Sequence, residues 1–253
     1  MDLKLTGKRA LITGATRGIG RAIALNLADE GVAISFCART PKDVDALVSS
    51  LEEKGVKAHG AVLDIRDAKA YLDWIEAESA RDGGLDIFIP NVSAGNAGSG
   101  DAAWLANFEG DLMHSVRGAE ALLPVLARSS AASIILIGSV AGAETAFGPG
   151  AYGPMKAALA SYGKLLAEAV APHGIRVNVI SPGPVYFEGG DWHRVKQQQP
   201  DLYDHFNARC LLGGMATADE VARAAVFLAS PAAAAITGST LLVDRGFSHA
   251  VRL

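Results

Sequence analysis

Short apolar runs recur along the chain, separated by stretches that have the spacing of amphipathic helices. The run Ile134–Ile137 is apolar at every position, which is typical of a strand buried on both faces of a sheet. Strand-length runs that alternate with helical stretches indicate βαβ units. Seven strands are predicted, at residues 9–13, 32–37, 58–63, 86–89, 133–138, 176–180 and 240–243. The fold class predicted is α/β, a doubly wound parallel sheet with helices on both faces.

No linker rich in Pro, Gly or Ser separates two regions of different composition, so residues 1–253 are predicted to form a single domain. Residues 183–215 stand apart, because they combine five aromatic side chains with Pro184, Pro200 and several glycines. This segment is predicted to be a mobile lid over a substrate. The alternative is a surface insertion whose aromatic side chains pack on the body of the protein.

Composition and charge exclude some classes of function. Half of the residues are hydrophobic and 20% are charged, which is enough for a large core. The net charge of -4 argues against binding to nucleic acid or to an anionic membrane, so a small molecule is the expected partner. No signal peptide and no apolar run of membrane-spanning length is found, and a cytoplasmic location is expected.

Cysteine and histidine give no sign of a metal site. Only Cys37 and Cys210 are present, and Cys37 lies in an apolar run, where it is expected to be a buried small hydrophobe. The histidines have no ligand spacing to one another or to carboxylates, so no metal is predicted.

A glycine-rich loop joins the first predicted strand to a helix. Gly14, Gly18 and Gly20 allow the backbone to turn tightly, and the following helix presents free N–H groups and a partial positive charge. Glycines in a loop often serve only as a turn. Their place between a first strand and a helix favours a cradle for the pyrophosphate of a dinucleotide.

The end of the second strand bears on the choice of cofactor. An acidic residue there would accept the ribose 2′-hydroxyl of NAD, but Ala38 and Arg39 occupy this place. Arg39, with Arg17 in the loop, suits a 2′-phosphate, so NADP(H) is preferred while NAD(H) stays possible. Alternatively, both arginines are solvated charges. Asp64, at the end of the third strand, is placed either to reach the adenine or to cap the next helix.

Three polar residues form a candidate catalytic set. Tyr152 and Lys156 lie four residues apart on one helix face, so the ammonium stabilises a phenolate and helps the phenol to give and take a proton. Pro154 between them is tolerated only in a first turn, which predicts a helix start near Ala151. Ser139 follows the fifth strand, where its hydroxyl faces the cleft beyond the carboxyl ends of the sheet.

These features together make the chain similar to the short-chain dehydrogenase/reductase family, in its form of about 250 residues, with 3-oxoacyl reductases the nearest in appearance. The resemblance rests on the Thr13–Gly20 motif, Ser139, Tyr152 with Lys156, the stretch Asn178–Gly183 and the closing Thr237–Asp244. It implies a Rossmann-like domain, a homotetramer or dimer packed through helices at 103–129 and 151–171, and catalysis by Ser139, Tyr152 and Lys156. The cofactor contacts implied are Gly14, Thr16, Arg17, Gly18, Ile19, Gly20, Arg39, Asp64, Ile65, Asn91, Tyr152, Lys156, Pro182, Gly183 and Val185.

Several positions depart from the family pattern. The family's Asn-Asn-Ala-Gly after the fourth strand is replaced by Pro90-Asn91-Val92-Ser93. The asparagine that completes the family's catalytic tetrad falls on Ser115 by its spacing to Gly118, which puts the proton relay in question. Phe187 stands where a threonine often contacts the nicotinamide amide. Arg245 replaces a glycine and is interpreted as peripheral.

The function expected is NADP(H)-dependent reduction of a carbonyl to an alcohol, reversible to alcohol oxidation, with Tyr152 as general acid and base. The departures at Ser115, Phe187 and residues 90–95 leave one alternative, a dinucleotide-binding sensor or regulatory protein without catalysis on the same fold.

Overall fold

The structure is a computed structural model that describes residues 2–81, 83–95 and 98–249. The strands are β1 Arg9–Thr13, β2 Ala33–Ala38, β3 Ala58–Val62, β4 Ile87–Pro90, β5 Ser133–Ile137, β6 Arg176–Pro182, β7 Val185–Tyr186, β8 Ala216–Thr217 and β9 Thr240–Val243. The α-helices are α1 Gly18–Asp29, α2 Pro41–Glu53, α3 Ala68–Ser79, α4 Asp101–Asn107, α5 His114–Leu126, α6 Tyr152–Val170, α7 Asp191–Gln198, α8 Pro200–Ala208 and α9 Ala218–Ala229. Among these described residues, no helix is both long and apolar enough to cross a bilayer.

Seven strands form one parallel sheet in the order β3-β2-β1-β4-β5-β6-β9. This confirms the doubly wound α/β fold and the seven predicted strands. The direction of winding reverses between β1 and β4, and a crevice for ligands forms at the carboxyl ends of strands where the order reverses. The loops after β1 and β4 therefore meet at one place.

The strands supply two apolar layers, one on each face of the sheet. In β5, Ile135 and Ile137 pack with α1, α2 and α9, whereas Ile134 and Leu136 pack with α3, α5 and α6. Successive side chains of a strand point to opposite faces, so a strand covered on both sides is apolar throughout. This explains why continuous apolar runs predicted the strands well.

The single helix expected at 103–129 is replaced by three segments. A π-helical turn, Phe108–Met113, separates α4 from α5. A π turn adds a residue to one turn and changes which side chains face inward. This turn lies over α6 and brings Asp111 to the carboxyl end of the sheet, where its side chain is fully buried.

The segment 183–215 has structure of its own. It contains β7 and helices α7 and α8, and β7 pairs in parallel with β8 just beyond the segment. The two-residue strands β7 and β8 have no counterpart in the predicted elements.

Candidate active site

The glycine-rich loop after β1 is held by the loop after β4. Thr13 Oγ1 accepts a hydrogen bond from the backbone N–H of Asn91 at 3.0 Å. The side-chain amide of Asn91 in turn donates to the backbone oxygen of Gly14 at 3.0 Å. Asn91 therefore fixes the loop from the side of β4, at the reversal point of the sheet.

The loop enters α1 through Gly18, whose φ of +54° is left-handed and favours glycine. The N-cap residue Arg17 makes no side-chain cap hydrogen bond. The N–H groups in the first turn of α1 are therefore free to bind an anion. A helix start of this kind suits a pyrophosphate. A dinucleotide fits this arrangement, which combines a glycine backbone, an uncapped helix start and a loop that Asn91 holds by hydrogen bonds.

The residues expected near the adenosine lie at the ends of β2 and β3. Arg39 is exposed, and Ile65 is buried. Arg66 hydrogen-bonds the carboxylate of Asp64, with Nε 3.0 Å from Oδ1, and this bond lowers the pKa of Asp64. The alternative that Asp64 caps α3 is wrong, because the N-cap is Asp67, whose side chain accepts from Ala70 N at 3.0 Å.

Ser139 lies two residues beyond the end of β5. Its Oγ accepts a hydrogen bond from the backbone N–H of Ala141 at 3.1 Å, which caps a short 3₁₀ turn. The hydroxyl proton is left to donate elsewhere. The 3₁₀ turn approaches the start of α6 closely, since a Cβ atom on Gly153 would lie 2.8 Å from the oxygen of Ala141. A glycine at 153 thus allows the serine turn and the first turn of α6 to meet.

Tyr152 is the first residue of α6, so Pro154 lies in the first turn as expected. Lys156 follows one turn later, with Nζ 5.7 Å from the centroid of the Tyr152 ring. The lysine side chain is 3% exposed, and Nζ donates to the backbone oxygen of Ile137 at 2.9 Å. That oxygen ends β5, two residues before Ser139. The structure therefore brings the three residues of the candidate catalytic set to the same end of the sheet.

A carboxylate that the sequence analysis did not single out completes this cluster. Asp111 Oδ1 lies 3.2 Å from Lys156 Nζ, and the Asp111 side chain is 0% exposed. Ser115, the residue expected in the proton relay, lies one turn further along the chain, in α5. Its Oγ lies 3.4 Å from Nε2 of His114, and its side chain is fully buried. The structure therefore places Asp111, rather than Ser115, against Lys156.

A helical pattern could have revealed Asp111. Asp111, His114, Ser115 and Gly118 recur at the spacing of one helix face, and all are buried. A carboxylate on a buried face is uncommon unless it is paired. His114 on the same face is neutral, because burial and the charge of Lys156 lower its pKa to about 3.

The chain after β6 returns to the glycine-rich loop. Pro182 ends β6, and Val185 begins β7 beyond Gly183. The ring of Phe187 then packs between Gly18 and Gly190. Phe187 therefore contacts the loop that is expected to hold the pyrophosphate.

Aromatic side chains of residues 183–215 form a cluster with residues on the body of the protein. Phe206 of α8 stacks on Phe247 at 5.7 Å between ring centroids and lies 5.4 Å from Phe147. Trp192 of α7 lies 4.8 Å from Phe206. The segment is therefore attached to the loops after β5 and β9 by an aromatic cluster.

Arg245 is more than peripheral. It donates to both carboxylate oxygens of Glu220, at 2.7 and 3.1 Å, and its Nη1 donates to the backbone oxygen of Gly213 at 3.1 Å. Glu220 forms a capping box with Thr217 at the start of α9. Arg245 therefore connects the chain after β9 to α9 and to the end of the aromatic segment.

A family profile described as "Enoyl-(Acyl carrier protein) reductase" matches residues 14–248. Isoepoxydon dehydrogenase patN of Aspergillus clavatus is 36% identical over 246 residues, which span 96% of this chain and 95% of the relative. The chain belongs to the short-chain dehydrogenase/reductase family. The resemblance inferred from the sequence is thereby confirmed.

Two further relatives of this short-chain dehydrogenase/reductase are reductases. The 3-oxoacyl-[acyl-carrier-protein] reductase FabG of Escherichia coli is 33% identical over 248 residues, spanning 96% of this chain and 98% of FabG. L-sorbose reductase of Gluconobacter frateurii, solved with NADPH and L-sorbose, superimposes with a TM-score of 0.91 at 30% identity, covering 99% of this chain and 100% of that one. The protein is thus an oxidoreductase that acts on carbonyl or alcohol substrates, and a sensor without catalysis is not favoured.

Proposed function

We propose that this short-chain dehydrogenase/reductase is an NADP(H)-dependent carbonyl reductase, reversible to alcohol oxidation, that uses Tyr152 as general acid and base. The observation that carries the proposal is the meeting of Ser139, Tyr152 and Lys156 at the carboxyl end of the sheet, beside the glycine-rich loop. A nicotinamide cofactor supplies the hydride when it is bound there.

Each residue has a role that its contacts support. Ser139 is fixed by the bond from Ala141 N and keeps its proton to donate to the carbonyl oxygen. Tyr152 gives that oxygen a proton in reduction and takes one back in oxidation. The Lys156 ammonium donates to Ile137 O and pairs in charge with Asp111, and an ammonium with three donors keeps capacity for a ribose hydroxyl of the cofactor.

The preference for NADP(H) rests on Arg39. The side chain is exposed at the end of β2, where a carboxylate would otherwise select NAD. A guanidinium forms charge-assisted bonds with a 2′-phosphate. L-sorbose reductase, solved with NADPH, supports the same choice by similarity. Thr16, Ile19 and Ile65 complete the proposed cofactor contacts.

We assign the lid role to residues 183–215, as the cover of a pocket for a small carbonyl compound. Support comes from Phe187, which contacts the glycine-rich loop, and from the aromatic cluster around Phe206. The relatives named above are an isoepoxydon dehydrogenase, an L-sorbose reductase and a 3-oxoacyl reductase. By similarity, we propose that the substrate is a small compound with a ketone group.

Self-association is proposed as well, as a homotetramer or dimer. Leu105 on α4 and Leu165 on α6 are each 64% exposed, and Trp104 is 44% exposed. A contiguous exposed apolar patch marks a surface that another chain covers, and α4 and α6 contact each other. Light scattering on the purified protein tests this, and a monomeric mass at micromolar concentration would contradict it.

The decisive experiment is a screen of the purified protein for NADPH and NADH oxidation with oxoacyl esters, cyclic ketones and ketoses, repeated with Tyr152→Phe. We expect turnover with NADPH that Tyr152→Phe reduces by about a thousandfold or more while NADPH binding is retained, since a positioned proton donor contributes about 10²- to 10⁴-fold. Undiminished turnover in the variant would remove the mechanism. NADPH binding without turnover on the whole panel would favour the non-catalytic alternative.

A further inference from the structure

Asp111 lies at the centre of a buried polar network and contacts both the loop after β4 and Lys156. Its Oδ1 accepts from Ser93 Oγ at 2.5 Å and lies 3.2 Å from Lys156 Nζ. Its Oδ2 accepts from Ala94 N at 3.2 Å and from Asn107 Nδ2 at 2.8 Å. Three hydrogen bonds and one ion pair therefore surround the carboxylate.

This network includes part of the unusual sequence after β4. Ser93 and Ala94 stand in the part of the loop that departs from the family pattern, and both bind Asp111. The altered loop and the carboxylate in the π-helical turn are thus in direct contact. The π-helical turn that contains Asp111 gives the carboxylate its inward position.

The charges around Lys156 are few among the described residues. Asp111 faces it from the π-helical turn, and His114 faces it from α5 in its neutral form. Tyr152 lies on its own helix, and β5 contributes the uncharged backbone oxygen of Ile137. Arg117, beyond His114, is paired with Glu109. The Lys156 ammonium therefore has one ionic partner in direct contact, and that partner is Asp111.

A carboxylate this close changes what the lysine does to the phenol. A lone ammonium beside Tyr152 stabilises the phenolate, whereas a buried pair of opposite charges has a weak field a few ångströms away. We propose that Asp111 is a positioning residue that fixes the Lys156 ammonium and offsets its charge, so that Tyr152 keeps its proton to higher pH and serves as an acid over a wider pH range. This inference rests on the proposed function, since it assigns the pH range in which each direction of the reaction proceeds.

The test is neutralisation of residue 111. In Asp111→Asn, the charge is lost and the shape is kept, so we expect the pH midpoint of alcohol oxidation, and the alkaline decline of carbonyl reduction, to move to lower pH by about one unit. The amide NH2 group of Asn replaces one acceptor oxygen of Asp111 by a donor, so the variant loses stability. Its fold is checked by circular dichroism and gel filtration. Asp111→Ser is a second neutral variant with a smaller side chain.

The matched control is Asp101→Asn, which removes the same charge from an exposed residue in the first turn of α4. Its pH midpoints should equal those of the parent protein. A role of Asp111 in structure alone would lower the rate or the stability and leave both midpoints where they are. That result in folded neutral variants would overturn the inference.

A readout without substrate separates this inference from the proposed function. Alkaline titration of tyrosinate absorbance, with the contribution of residue 152 isolated by subtracting the Tyr152→Phe trace, should show the same shift to lower pH in Asp111→Asn. Absence of turnover on every carbonyl would defeat the proposed function but leave this titration interpretable. Turnover with an unshifted titration would defeat the role of Asp111 alone.

Discussion

The ring of Phe187 lies so close to Gly18 that a Cβ atom on the glycine would be 2.6 Å from the ring Cζ atom. One residue belongs to the chain after β6 and the other to the start of α1. Their contact joins the proposed lid to the proposed pyrophosphate cradle. Any side chain at residue 18 must displace the ring or move the loop.

The first prediction concerns this contact. Gly18→Ala should weaken NADPH binding by about tenfold or more, because the new methyl group meets the ring and a left-handed backbone costs an alanine about 1–2 kcal/mol. Fluorescence titration with NADPH measures the affinity.

The control for Gly18→Ala is Gly174→Ala. Gly174 has a φ of +71°, but no atom lies within 4 Å of the place that a Cβ atom would occupy, so the variant reproduces the backbone strain without the overlap. It should lower stability and leave NADPH affinity unchanged. Equal affinity losses in the two variants would show that a general loss of stability, rather than the contact with Phe187, is responsible.

The second prediction addresses the choice of cofactor. Arg39→Ser should raise the KM for NADPH by about 10- to 100-fold, since a hydrogen bond to a charged group contributes about 1.5–3 kcal/mol. The KM for NADH should change little, because NADH has no 2′-phosphate. Steady-state kinetics with both cofactors measures the effect.

Arg128→Ser removes the same charge just beyond the end of α5, where the arginine donates to Pro124 O, and serves as the control. Loss of activity with both cofactors in Arg39→Ser would show that Arg39 does not recognise the 2′-phosphate.

The sequence predicted the scaffold better than the chemistry within it. Strands such as β5 were found because both faces are buried, which leaves an unbroken apolar run. Strand β7 was not predicted, because two residues are too few to show the alternation of a strand. Asp111 was missed because spacing to Gly118 selected Ser115, which lies on the same buried face one turn later, and the sequence shows no sign of the π-helical turn that carries Asp111.

The ends of elements show the same limit. Asp64 and Asp67 both precede α3, and the sequence left Asp64 either to reach the adenine or to cap this helix. In the structure the Asp64 carboxylate binds Arg66, and the Asp67 side chain caps α3 by accepting from Ala70 N. Side chains with similar chemistry a few residues apart are distinguished by tertiary contacts that no local pattern encodes.

The third prediction concerns an ion pair at the opposite end of the sheet. Arg9 Nη2 lies 3.0 Å from Glu78 Oε2, the same oxygen accepts from Ser35 Oγ at 2.6 Å, and both charged side chains are largely buried. Glu78→Gln leaves the Arg9 charge without its counterion, so unfolding free energy should fall by about 3 kcal/mol. Urea denaturation measures it.

Glu76→Gln changes an exposed residue of the same helix and should alter stability by less than about 0.5 kcal/mol. NADPH affinity should be unchanged in both variants. A loss at Glu78 no larger than that at Glu76 would mean that the buried arginine finds other partners.

The fourth prediction follows from the bond between Arg245 and Glu220. That hydrogen bond, with those from Thr217, lowers the pKa of Glu220 from 4.5 to about 2. A carboxyl whose pKa is lowered by folding stabilises the protein above its unfolded pKa, and the contribution disappears as the pH falls through the folded value. The stabilisation is therefore complete above about pH 4.5 and lost towards pH 2.

Arg245→Met removes the cation and keeps a residue that must adopt the left-handed φ of 51°. Because the pair is partly exposed, the variant should lose at most about 1 kcal/mol at neutral pH. The gap in Tm between parent and variant should narrow as the pH is lowered from 4.5 through 2, because Glu220 becomes protonated in the parent over this range. Arg223→Met, which breaks an exposed pair with Asp219 on the same helix, should have a smaller effect at neutral pH. A gap in Tm that stays constant down to the lowest pH would show that Arg245 stabilises the protein through its bond to Gly213 O rather than through the charge of Glu220.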